Sequence, residues 1–491
     1  MSADGDLRVG IDMGTQGIRV VVVDDDGHTC GRGAEPLTSR RDGVRHEQDA
    51  DEWWTAVAAA CRQALAGLDA TRVAGLAVDG TSGTVLLTDR TGAAVTPALM
   101  YDDGRAVDEA VTVNEAGRQV WARLGYQSMQ RSWGLPKLAW LLRGAATPGD
   151  VQLAHQPDFV TRRLIGRPVP TDASHALKTG YDTINECWPL DVFDALGIPE
   201  SVLVPVVRSG TVLGTVCAAA SEVTSLAAGT PVMAGMTDGC ASQLAAGARE
   251  VGAWNCVLGT TLVLKGVSEE LVLDPLGVLY SHRGPGDTWL PGGASSSGAG
   301  VVSERFGGHD LDALTRQIAR GAPRAVAYPL VSNGGERFPF RAPDAERFVI
   351  GDVASDAELL HAFMLGLASV ERLCFDYLDL MGLPHDGRIT FTGGGARNDY
   401  WTQLRADMLG RQVSLPENAD GAYGMAVLAA SAGPDSGARA ARMVRMRATF
   451  TPDVARHRDA LDWYMRIVTE FDDRRWLQPG LAAHAKERAS S

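Results

Sequence analysis

Leu7-Arg8-Val9-Gly10-Ile11-Asp12-Met13-Gly14-Thr15-Gln16-Gly17-Ile18-Arg19-Val20-Val21-Val22-Val23 is the stretch whose reading decides the fold. Two β-branched runs flank a turn of Asp and Gly, and no helical periodicity follows the glycines, so the pattern is strand, turn, strand. A Rossmann fingerprint or a Walker A loop would open a helix after its glycines, and the chain contains no G-x-x-x-x-G-K-[ST]. Both of those nucleotide sites are disfavoured. Asp24-Asp25-Asp26-Gly27 then turns the chain into a third strand.

Further along, Asp51 to Ala66 has helical spacing after an acidic start, and Val73 to Asp79 and Thr84 to Leu87 read as strands around Gly80-Thr81-Ser82-Gly83. The strand Pro231 to Met236 leads through Thr237 to Asp238 and into a helix. Ala253 to Leu258, Gly259-Thr260-Thr261 and Leu262 to Lys265 repeat the N-terminal hairpin, and a long helix over Asp356 to Leu380 leads to the strand at Ile389. Alternating strands and helices predict an α/β chain of two architecturally related halves. The expected division is 1–245, 246–434 and a C-terminal helical segment, 435–491, packing back on the first domain.

The 491 residues carry 46 basic and 60 acidic side chains, a net charge of −14 that repels nucleic acid and anionic membrane. Seven scattered cysteines without a C-x-x-C pair point to free thiols in a reducing compartment. The polar start Met1 to Asp6 lacks the basic and apolar regions of a leader, and no apolar run approaches the ~20 residues of a membrane span. The expectation is a cytoplasmic protein.

Phosphoryl transfer needs backbone donors for polyphosphate, carboxylates for Mg²⁺ and a group that accepts the attacking hydroxyl's proton. Gly14, Thr15 and Gln16 can bring main-chain N–H groups to a phosphate, with Asp12 placed as a hard oxygen ligand for the metal. Gly259, Thr260 and Thr261 offer a second such turn, and Asp238 is a candidate general base. Hairpin geometry and an N-cap explain the same residues equally well in isolation.

Taken in order, Asp12 to Arg19, Thr237-Asp238, Leu258 to Thr261, Gly335-Glu336-Arg337 with Pro339, and Gly393 to Asn398 resemble the FGGY carbohydrate kinases over almost the whole chain. The resemblance implies a two-lobed ribonuclease H-like fold of the actin and hexokinase type, with ATP and sugar meeting in an interlobe cleft. It implies Asp238 as catalytic base and Asp12 as the carboxylate near Mg²⁺. It also implies Gly394, Gly395 and Asn398, with the two turns, as ATP contacts.

Thr81 and Ser82 are the first substrate contacts expected, with Asp103, Asp158 and Lys178 as further sugar-binding residues. Val78 to Leu87, Ala176 to Tyr181 and Gly277 to His282 look like the D-ribulose kinases, so the expected reaction is D-ribulose to D-ribulose 5-phosphate. Xylulokinases usually carry Gln-Met-His in this loop, although His46 to Asp49 and Trp53-Trp54 resemble them; glycerol kinases carry Arg-Glu where Thr81-Ser82 stands. A kinase of D-xylulose or of another ketose or polyol is the alternative within the class. A sugar-sensing or chaperone-like ATP-binding protein is the alternative outside it. Sugar and ATP are the expected partners, and a homodimer is compatible with the sequence.

Overall fold

Strand β1 (Leu7–Met13) is buried along its whole length, which requires neighbours on both edges and cover on both faces. It pairs antiparallel with β2 (Gly17–Asp24), which pairs antiparallel with β3 (Thr29–Pro36). On its other edge it runs parallel to β4 (Val73–Gly80), with Asp12 opposite Asp79 in the register. Beyond β4, β5 (Val212–Thr215) and β6 (Pro231–Met233) complete the order β5-β6-β4-β1-β2-β3.

The computed structural model describes residues 5–145, 147–318, 321–331, 334–431 and 436–490; the start Met1 to Asp4, read above for a leader, lies outside them. The chain forms two compact units. The first comprises Met1–Ala245, His282–Thr288 and Asn418–Arg445, and the second comprises Ala246–Ser281, Trp289–Glu417 and Met446–Ser491.

Alternation along β2 divides the first unit's core. Val20 and Val22 pack with Trp53 and Val57 of α1 (Ala50–Leu65), while Val21 and Val23 face Ala422 and Tyr423, farther along the chain. Helices α2 (Gln156–Ile165), α3 (Ala173–Ala176) and α4 (Asp238–Ala245) belong to this unit.

The second unit repeats the plan. Strands β7 (Trp254–Leu258) and β8 (Leu262–Gly266) form a hairpin; β9 (Leu279–Arg283), whose first three residues fall in this unit, neighbours β10 (Trp289–Ala294), which pairs antiparallel with β8. On the other side β7 runs parallel to β11 (Ile389–Thr392), which runs parallel to β12 (Val413–Pro416). The central helix α5 (Asp356–Leu380) occupies the predicted span, and its Glu371 takes a bidentate ion pair from Arg405 of α6 (Asp399–Leu409) at 2.6 and 2.7 Å. Each sheet is therefore an antiparallel meander continued by parallel strands, the ribonuclease H-like order.

Two boundaries differ from the sequence expectation. Residues 418–445, including α7 (Gly421–Ala429), belong to the first unit, because the wholly apolar Ala-rich helix lies against β1 and β4. After it comes a strand, β13 (Met446–Phe450), which pairs with β12, so the end of the chain is not helical throughout. The final helices α8 (Val454–Asp473) and α9 (Leu481–Ser490) are assigned to the second unit. Tyr464, Ile467, Phe471 and Leu481 join the apolar cluster around Trp254 and Leu365 of the second unit, and Arg488 pairs with Asp376 at 2.8 Å.

The seating of α7 on β1 depends on Gly10, where a Cβ would come within 1.7 Å of the Ala422 carbonyl oxygen. Gly10→Ala should therefore displace α7 and cost about 1–3 kcal/mol of stability, read from the urea midpoint. A midpoint equal to wild type would contradict this packing argument.

Candidate active site

Parallel pairing brings three carboxylates to the carboxyl ends of neighbouring strands in the first unit. Asp12 and Asp79 are register partners on β1 and β4, and Gly80 bridges in parallel to Thr237, the residue before Asp238. Asp12 is buried and its Oδ2 accepts from Arg19 Nη1 at 2.9 Å. Asp79 is fully buried, and its oxygens make no hydrogen bond of ordinary geometry, with the Asp12 carboxyl and the Met13 backbone the polar groups that face them. Burial, reinforced by the charges of Asp12 and Asp238, pushes its carboxyl well above the ordinary range.

Gly421, the first residue of α7, lets this cluster form. A Cβ there would meet Asp79 Oδ2 at 2.6 Å and Asp12 Cγ at 3.4 Å. Asp238 opens α4, and its Oδ1 accepts from the Gly239 amide at 2.7 Å. Burial raises the Asp238 carboxyl above the usual range. The Gly239 amide opposes this, the Asp12 charge adds to it, and Lys178 and His175 oppose it.

The loop after β4 gives its two hydroxyls different surroundings. Thr81 Oγ1 lies 2.8 Å from Gln156 Oε1 and 2.5 Å from Thr84 Oγ1, so it fastens the loop internally. Ser82 Oγ is buried and has no partner, as a hydroxyl awaiting a ligand would be. Lys178 Nζ reaches the Ser82 carbonyl at 3.4 Å and lies 5.9 Å above the Trp133 ring. Lys178 thus stands with Ser82 and Asp238.

Asp103 and Asp158 are engaged by partners of their own. Asp103 is fully buried and accepts from the His46 amide at 2.8 Å and from Arg105 at 2.9 to 3.2 Å. Asp158 caps α2, its Oδ2 lying 2.9 Å from both the backbone N and Nδ1 of His155, and it lines a cavity of about 170 Å³ with Phe159, Arg162 and Pro170. Both carboxylates are consumed by neighbours a few residues away in sequence, or by a strand-borne amide, that a linear pattern does not resolve.

Four residues around these carboxylates were not singled out by the sequence reading: Asp79, Tyr101, Ser174 and His175. Tyr101 is 43% exposed, and its hydroxyl is raised by burial first and then by the charges of Asp102 and Asp238. Ser174 Oγ accepts from the Thr237 amide at 3.1 Å, fixing the approach to Asp238. Asp79 carried a usable signal, since it ends an apolar strand as Asp12 and Asp238 do.

Gly14 N donates to the Gly17 carbonyl at 3.1 Å, and the carbonyls of Thr15 and Gln16 accept from Gln48 Nε2 and Leu37 N. In the second unit, the Gly259 and Thr260 carbonyls accept from the amides of Ala299 and Gly300 at 3.0 Å, and Gly259 N donates to the Thr261 carbonyl at 3.1 Å. Gly395 is packed under Leu258, whereas Gly394 faces open space. Asn398 caps α6 through Oδ1 on the Trp401 amide at 2.9 Å, and its Nδ2 donates to Thr315 at 3.1 Å.

The FGGY family of carbohydrate kinases, N-terminal domain, matches residues 7–245, and the C-terminal domain of the same family matches 251–433. The chain belongs to the FGGY carbohydrate kinases. This FGGY kinase is 28% identical over 482 residues to a xylulose kinase of Streptomyces rubiginosus, covering 96% of this chain and 97% of that protein. It is also 28% identical over 435 residues to a glycerol kinase of Alcanivorax borkumensis, covering 83% and 85%. A solved xylulose kinase from Rhodospirillum rubrum superposes with a TM-score of 0.84 at 25% identity, over 95% of this chain and 98% of that one. As an FGGY kinase the protein is an ATP-dependent sugar phosphotransferase with the two-domain α/β fold of the actin and hexokinase type. Among the described residues, no helix is long and apolar enough to cross a membrane.

Because Asp158 serves α2 and its own cavity, Asp158→Ala should cost about 1 kcal/mol of stability and leave the sugar KM of this FGGY kinase unchanged. Steady-state kinetics beside a thermal melt check both halves, and a raised sugar KM at unaltered Tm would restore Asp158 to the site.

Proposed function

We propose that the chain transfers the γ-phosphoryl group of ATP to the terminal hydroxyl of a pentulose, with D-ribulose as the first substrate. The carrying observation is the set of strand-end carboxylates, Asp12, Asp79 and Asp238, beside the unpartnered hydroxyl of Ser82. Asp238 is the base: Oδ1 is held by the Gly239 amide, which leaves Oδ2 to accept the sugar hydroxyl's proton as its oxygen attacks phosphorus. Ser82 and Lys178 orient the sugar, and Thr81 acts behind them by holding the loop.

Among the described residues, no three His, Cys, Asp or Glu side chains close around a point as a protein-only metal cage would. Magnesium does not need one, since it keeps waters and takes one or two carboxylates together with substrate phosphates. The hard oxygens of Asp12 suit that ion, and Asp12 is the residue that would hold it; Asp79, its register partner, has a raised carboxyl that a bound cation would favour in the ionised form. When bound, magnesium neutralises charge on the phosphate oxygens. Within the first unit Gly14, Thr15 and Gln16 are proposed phosphate contacts; within the second, Gly259, Thr260, Thr261, Gly394, Gly395 and Asn398 are proposed nucleotide contacts. The open side of Gly394 supports close approach of a nucleoside.

D-Xylulose is the second reading, favoured by the xylulose kinases among the relatives. Against it stands the loop Asp79-Gly80-Thr81-Ser82-Gly83, which lacks Gln-Met-His. A coupled ADP-release assay over D-ribulose, D-xylulose, L-ribulose and glycerol tests the choice. The largest kcat/KM should belong to D-ribulose, and a tenfold or greater preference for D-xylulose would reverse the order.

Asp238→Asn should keep nucleotide affinity and lower kcat by about 10²-fold or more. Near-normal turnover in that variant would remove Asp238 as base. The base must be ionised, and its carboxyl is raised, so kcat/KM should fall as pH falls through a value above the ordinary carboxylate range of about 4. A profile flat down to pH 4 would contradict this. Ser82→Ala should raise the sugar KM roughly tenfold with the ATP KM nearly unchanged.

A further inference from the structure

Behind the substrate loop, the single turn α3 joins the ends of two strands that carry the site. Ser174 takes the Thr237 amide at 3.1 Å and lies 3.0 Å from the Thr237 hydroxyl. His175, fully buried, places Nδ1 2.7 Å from Asp172 Oδ2 and Nε2 3.2 Å from the Gly80 carbonyl oxygen. A carboxylate and a carbonyl can only accept. Both ring nitrogens must therefore carry protons if both contacts are hydrogen bonds, which makes the buried ring an imidazolium.

We propose that His175 is a positioning residue for sugar binding: as an imidazolium it ties the Gly80 carbonyl to Asp172 and so holds the Gly80–Ser82 segment where Ser82 meets the substrate. The proposal rests on the reading of Ser82 as a sugar contact. His175 touches no reacting atom, and its influence passes through the backbone at Gly80.

The surrounding charges favour this state. Asp172 lies on the same turn, and Asp158 of α2 reaches it past His155, whose ring centroid is 5.8 Å away. Asp238 of α4 is close enough for His175 to hold its carboxyl down. Lys178 stands on the following turn, and His282 Nδ1 lies 3.4 Å from Ser174. Burial opposes the cation, but the Asp172 charge and hydrogen bond, Asp158 and the Gly80 carbonyl outweigh it, leaving the ring above its ordinary 6.5. The sign follows: the tie is complete below the ordinary value and is lost as pH rises through the raised one. Once Nε2 loses its proton, a lone pair faces the carbonyl and the Gly80 link becomes repulsive.

Two measurements test it. Ring-labelled histidine NMR on the wild-type protein, with the His175 signal assigned by its loss in His175→Gln, should show a doubly protonated ring that titrates above 6.5. A neutral His175 at pH 6 would overturn the proposal without relying on any variant's activity. In kinetics, the wild-type sugar KM should climb as pH passes that midpoint. His175→Gln, whose amide can donate to Gly80 without titrating, should flatten the climb, and His175→Asn, too short to reach Gly80, should raise sugar KM about tenfold at every pH. Parallel KM profiles in wild type and His175→Gln would overturn it. A Ser82→Ala variant with wild-type sugar KM would instead bring down the reading of the loop, while the NMR midpoint still decides the charge on His175.

Discussion

Like charge forced together out of water is the constraint on which this site is built. Parallel register fixes Asp12 beside Asp79, and the Gly80 to Thr237 bridge draws Asp238 to the adjoining strand end. Three ionised carboxylates so placed would repel strongly in a medium of low dielectric. The fold answers with cations at the margins: Arg19 on Asp12, and Lys178 and His175 near Asp238. Asp79, in the middle and without a cation, is left to favour its neutral form.

The same economy governs the backbone around the cluster. Side chains with hydroxyl groups are split between holding and waiting, as Thr81 and Ser82 show in consecutive positions. The second unit shows the holding half of this division near its own turn. Glu336, buried, gathers the hydroxyls of Ser295, Ser297 and Tyr328 within 3.0 Å, bracing the strand end that supports Gly259 and Thr260. Rigid support behind, and unpaired donors in front, is the arrangement expected where a ligand completes the hydrogen bonding.

Much of this could be read from the linear chain, and the failures have physical causes. Hairpins announce themselves locally, so β1, β2, β7 and β8 and the long helix α5 were legible from β-branched runs, Gly turns and 3.6-residue periodicity. An acidic residue that ends an apolar strand is also a local signal; it marked Asp12 and Asp238 and should have marked Asp79. What a carboxylate points at is not local. Asp103 and Asp158 have the composition of ligands but are spent on His46, Arg105 and His155. His175 is undistinguished in the sequence, because its meaning lies in a carbonyl 95 residues earlier.

The first unit is discontinuous, and α7 reaches it only after Glu417. During synthesis, β1 and β4 emerge early but wait for more than three hundred further residues before the helix that covers Gly10 leaves the ribosome. One face of the central sheet thus lacks this helix while the second unit is made as far as Glu417. A nascent chain in this condition is a natural client for chaperones that shield apolar surface, and a gene fragment cut at Ala245 would encode a sheet lacking one of its walls.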